Sequence, residues 1–116
     1  MKLFVLVLNK TNALEPLFEA MMKAGINGAT VLDSTGMMRV LADDEHADFP
    51  MLALLRHVYS PERKASKTVF VVLDDRQVEK MTAIADKVSG GLDEPDTGIA
   101  FTVPVDFVKG LNKAHD

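Results

Sequence analysis

The sequence predicts an α+β domain of βαββαβ order. An antiparallel four-stranded sheet carries two helices on one face, and an insertion with a short helix separates strands 2 and 3. Three observations predict this. Four short apolar runs rich in strand formers read as strands, and helical apolar stripes fill the gaps after the first and the third. Glycines close both helices, at Gly25 and at Gly90–Gly91. A length of 116 residues fits one domain, 1–116, with 37–66 as the inserted stretch.

Leu3 to Leu8 is continuously apolar, which predicts a strand buried on both faces. Asn12 and Glu15 have the spacing of a reciprocal helix cap, and Pro16 then falls in the first turn. Leu14, Leu17, Phe18 and Met21 follow i, i+3, i+4, i+7 spacing and form the buried stripe. Gly25 ends that helix, and Ile26-Asn27-Gly28 turns the chain into a second strand, Ala29 to Asp33, expected to be buried. Gly36 is the hinge that follows.

The insertion begins Met37-Met38-Arg39-Val40-Leu41 and crosses an acidic patch. A short helix is expected to start near Asp48, with Pro50 at its first position. Ser60 to Lys64 is a polar loop. Lys67 to Leu73 is the third strand, and Asp74-Asp75 caps the second long helix. Val78, Met81, Ala85 and Val88 form the stripe of that helix, and Ile99 to Val105 is the fourth strand. This order is the ferredoxin-like plan. It leaves one sheet face bare, while Phe4–Leu8 and Phe70–Leu73 place large apolar residues on both faces. An exposed patch of that kind implies an oligomer whose sheets pack together.

Composition narrows the function classes. A net charge of -4 lacks the basic footprint of a nucleic-acid binder. The absence of cysteine excludes disulfides and thiolate metal sites. The apolar N-terminal run is too short for a membrane span and lacks a signal cleavage site, so a cytoplasmic protein is expected, reaching a membrane only through a partner. No Ser, Cys or His motif marks a nucleophile, so no enzyme and no catalytic residue are expected.

Gly25-Ile26-Asn27-Gly28-Ala29-Thr30-Val31, then Val71-Val72-Leu73-Asp74-Asp75 with Val78-Glu79, then Thr97-Gly98-Ile99-Ala100-Phe101-Thr102-Val103-Pro104-Val105 occur in this order. Together, over residues 2–36 and 67–111, they resemble the nitrogen regulatory protein PII superfamily, in particular its small PII-like members. The resemblance implies a homotrimeric, non-enzymatic signalling protein. It implies adenine nucleotides (ATP, ADP or AMP) in the clefts between subunits, and a long loop after the second strand that meets a protein target. Carried over residue by residue, it places Thr30 and Val72 near the adenine. It places Gly36 and Arg39 at the base of the long loop, and the glycine loop from Gly90 to Gly98 at the cleft.

The chain departs from the family on the phosphate side. Ile99 stands where the family has a lysine, and Gly110 and Asn112 where it has arginines. Met38 and Val40 replace a glycine and a glutamine, and Asp93-Glu94-Pro95-Asp96 is acidic. Carboxylates facing a triphosphate repel it unless a cation intervenes. A second reading follows, a trimeric structural or interaction module that has lost nucleotide binding. A third is an amino-acid-binding regulatory domain of the ACT type.

Other features have plain explanations. Asp43, Asp44, Glu45, His46 and Asp48 have carboxylates and an imidazole suited to a divalent cation, but no firm ligand spacing, and read as a solvated loop. His57 suits a helix C-terminus and His115 lies near the chain end. Met51 to Leu55 reads as a helix face covering core or a neighbouring subunit. Arg63-Lys64-Ala65-Ser66-Lys67 reads as a solvated strand entrance. Gly90 and Gly91 are explained by helix capping, which leaves Gly98 as the glycine singled out for a ligand.

Overall fold

The computed structural model describes residues 1–43 and 65–111. In chain order these form β1 (Lys2–Leu8), a 3-10 turn (Thr11–Ala13), α1 (Leu14–Lys23), β2 (Thr30–Ser34) and α2 (Met37–Asp43). They continue with β3 (Ser66–Leu73), a second 3-10 turn (Asp75–Gln77), α3 (Val78–Ser89) and β4 (Gly98–Pro104). The chain is thus α+β, with a four-stranded sheet in the order β2-β3-β1-β4 and every pairing antiparallel. This arrangement is compatible with a ferredoxin-like fold. The short helix expected near Asp48, the acidic run from Asp44 to Asp48, His57 and His115 lie outside the described residues.

Strand alternation assigns the two faces of the sheet. Phe4, Leu6 and Leu8 stand opposite Val71, Val69 and Lys67. The first two rungs of this face join Leu17 and Met21 of α1 and Met81 and Ala85 of α3 in one buried core. Leu6, Leu8, Leu17, Val69, Met81 and Ala85 have no exposure. Helix closure follows the glycines. Gly25 takes φ 81°, its N–H donates to the Met22 carbonyl, and the Ile26 N–H reaches back to Met21 at 2.8 Å, which is a Schellman closure. Gly90 ends α3 at φ 84°.

Two expectations are corrected. First, α1 carries no Asn12–Glu15 cap. Asn12 lies inside the 3-10 turn and Ala13 precedes the helix without a side-chain cap bond. The turn itself lines up the backbone for α1. A capping box instead precedes α3, where the Gln77 side chain accepts from the Asp74 N–H at 3.0 Å. Second, β2 is not buried. Thr30 to Asp33 are exposed, because β2 is a sheet edge and neither α1 nor α3 packs substantially over it. A helix not expected from the sequence, Met37–Asp43, follows β2, with the Val40 N–H bonded to the Gly36 carbonyl at 3.1 Å.

The opposite face of the sheet bears no helix among the described elements. Its rungs are Val72–Leu3–Val103, Phe70–Val5–Phe101 and Thr68–Val7–Ile99, with Thr30 and Leu32 at the β2 ends of the second and third. Leu32, Ile99, Phe101 and Val103 are exposed, whereas Val5 is buried by its rung neighbours. No helix among the described residues is long and apolar enough to cross a membrane.

Candidate functional site

Antiparallel pairing brings the end of β1, the end of β2 and the starts of β3 and β4 to one end of the sheet. Gly36, Arg39 and Gly98 all belong to this end. Arg39 is buried, and its guanidinium forms an ion pair with the Asp96 carboxylate, with both side chains less than a tenth exposed. The Asn9 amide donates to the same carboxylate oxygen at 3.4 Å. Asp96 sits at φ 58°, in the left-handed region that Asp tolerates better than most residues.

The loop beneath Asp96 is tied down at several points. The buried Thr97 hydroxyl donates to the Glu94 carbonyl at 2.9 Å, and the Thr97 carbonyl accepts from the Asn9 N–H at 3.0 Å. Gly98 then enters β4 directly against β1. A Cβ at this position would lie 2.2 Å from the Val7 carbonyl oxygen. Glycine is therefore required by the close approach of two strands, a packing role beside the ligand role suggested by the sequence. Gly90 lies at the same end, with the Lys10 ammonium 3.1 Å from where its Cβ would stand. The cation thus sits by the carbonyl-rich end of α3, where a positive charge is favoured.

Thr30 and Val72 lie elsewhere. Both belong to the helix-free face, Thr30 opposite Phe70 and Val72 opposite Leu3. Gly98 stands opposite Leu8, which stands opposite Lys67, and Val72 is five positions further along β3. At about 3.4 Å per residue this separates Val72 from the Gly98 end by roughly 17 Å. One protomer therefore does not bring the six singled-out residues into one site. It forms a Gly36–Arg39–Gly90–Gly98 end and a Thr30–Val72 patch.

Val72 also lines a cavity of about 390 Å³ at the far end of the sheet, together with Gly25, Asn27, Gly28, Asp74 and Gln77. Its walls combine residues at the end of β3 with the turn before β2. At this end the N-terminal ammonium pairs with Asp75 at 3.2 Å. This size falls within the range of small-molecule sites.

Sequence reasoning placed Arg39 at the loop base but read Asp96 only as part of an acidic loop. The two are 57 positions apart in the chain, beyond any local pattern. The cavity was equally hidden, because its lining comes from four separate stretches, at Met1, Gly25–Gly28, Val71–Gln77 and Leu111. No group of His, Asp and Glu among the described residues is arranged to hold a metal ion. No protein-family model matches the sequence, and no curated protein matches it.

Proposed function

We propose that this chain is a PII-like regulatory protein, a non-enzymatic homotrimer that binds a small ligand between subunits and regulates a protein partner. Adenine nucleotides are the ligand class implied by the resemblance in Gly25–Val31, Val71–Asp75 and Thr97–Val105, and nitrogen metabolism is the setting it implies. The observation that carries the reading is the division of the site. Thr30 and Val72 lie on the helix-free face, and Gly36, Arg39 and Gly98 at one sheet end, roughly 10 Å from Thr30 and roughly 17 Å from Val72 by strand rise. A small ligand that touches both sets takes them from two protomers. The apolar helix-free face supplies the surface by which such protomers associate.

A second reading is favoured by one specific contact. Arg39, the cation at the loop base, is already engaged by Asp96, and Ile99 is exposed where the family places a lysine. A trimeric interaction module without nucleotide binding fits those two residues. Isothermal titration calorimetry with ATP, ADP and AMP separates the readings. The sensor reading expects heat from at least one nucleotide, with up to one site per protomer, and weaker binding in Val72→Asp. No heat from any of the three overturns nucleotide sensing and leaves the interaction module.

A further inference from the structure

Two walls of the cavity at the far end of the sheet carry negative character. One is the end of α1, where Gly25 and Ile26 follow the last helical carbonyls, and a helix C-terminus carries a partial negative charge. The other is Asp74, at the exit of β3. The chain itself sets ammonium groups beside both. The Lys80 ammonium donates to the Ala24 carbonyl at 3.4 Å, and the N-terminal ammonium pairs with Asp75, the neighbour of Asp74, at 3.2 Å. Asp74 accepts from the Gln77 N–H in the capping box and stands 3.8 Å from the Arg76 guanidinium, which is 91% exposed. A carboxylate has about four acceptor positions, so the cap leaves capacity for a further donor. Apolar surface adjoins this carboxylate. Val72, Met1 and Leu111 line the same cavity, and Met1 and Leu111 are 39% and 45% exposed.

We infer that this cavity binds a small aliphatic ammonium compound, with its ammonium on Asp74 and its carbon chain along Val72, Met1 and Leu111. The volume of about 390 Å³ suits such a molecule. A hydrogen bond from an ammonium to a carboxylate is roughly twice as strong as a neutral one. The end of α1 acts in the same sense, because it favours a positive charge and disfavours an anion. The chain contributes through burial, at about fourfold in affinity for each methylene removed from water. A neutral alcohol of equal length keeps that contact and loses the charge-assisted bond. The site lies within one protomer, at the opposite end of the sheet from Gly98, and holds whether or not a nucleotide binds.

Titration of the full chain at constant ionic strength, followed by amide chemical shifts in nuclear magnetic resonance, tests it. The probes are n-butylammonium, ethylammonium and 1-butanol. The expected result is a saturable shift of the 25–28 and 72–77 amides with n-butylammonium. Ethylammonium, two methylenes shorter, should bind about tenfold more weakly, and 1-butanol at least about tenfold more weakly. Asp74→Asn should weaken n-butylammonium at least about tenfold and leave 1-butanol unchanged, since asparagine still caps the helix and removes only the charge. Absence of saturable shifts in 25–28 and 72–77 overturns the site. Equal binding of 1-butanol and n-butylammonium also overturns it, and this comparison on the wild-type chain decides even where Asp74→Asn does not fold. Undiminished n-butylammonium binding by a folded Asp74→Asn removes Asp74 as the anchor and overturns the inference.

Discussion

Gly98 and Val7 meet so closely that a single added carbon at Gly98 would lie 2.2 Å from the Val7 carbonyl oxygen. β4 enters the sheet at this point, directly after the loop that holds Arg39. The contact fixes where the Asp96 carboxylate is presented, and so ties the site end to the strand pairing of β1 and β4.

Gly98→Ala is expected to be severely destabilising. The obstructing atom is backbone, which cannot rotate away, and the loss should exceed about 3 kcal/mol in denaturant unfolding. Gly25→Ala is the control. Gly25 is at φ 81° with nothing within 4 Å of its Cβ position, so only the left-handed backbone penalty of about 1–2 kcal/mol applies. Equal losses would refute the steric account of Gly98.

Two methionines test the core. Met81 has no exposure and sits between sheet and helices, whereas Met22 is 69% exposed on α1. Met81→Ala should cost about 2–5 kcal/mol. Met22→Ala should change stability by less than about 0.5 kcal/mol. Urea midpoints of the two variants measure the difference directly.

The closures and stripes of α1 and α3 were legible in the sequence because they are local. Gly25 and Gly90 mark positive-φ positions, and Leu17, Met21, Met81 and Ala85 repeat at helical spacing toward the core. What was not legible is non-local. Val31 and Leu32 are as apolar as buried residues, but β2 is an edge strand that the α1–α3 layer leaves largely uncovered, and strand order is not written in β2 itself. Met37–Asp43 is a helix on which Met37, Val40 and Leu41 are exposed while Arg39 is buried, so these residues do not give the pattern that announces a helix. Thr30, Val72, Gly36, Arg39, Gly90 and Gly98 were each legible as candidates, but their division between a sheet face and a sheet end follows from register. The Asn12–Glu15 spacing suited a cap, yet the 3-10 turn there uses Asn12 differently.

The helix-free face yields a further prediction. Phe101 is 47% exposed and lies in the central rung beside Val5. Phe101→Asp places a charge in the middle of the proposed interface and should dissociate the assembly in sedimentation velocity, with far-ultraviolet circular dichroism retained. An assembly that survives Phe101→Asp would move the interface to another surface.

Native mass spectrometry of the unliganded wild-type protein tests the central claim most directly. The account predicts a dominant species at three times the 12.7 kDa chain mass. A monomer or a dimer at micromolar concentration would contradict it, because Thr30 and Val72 would then have no trimer cleft to share with Gly36, Arg39 and Gly98.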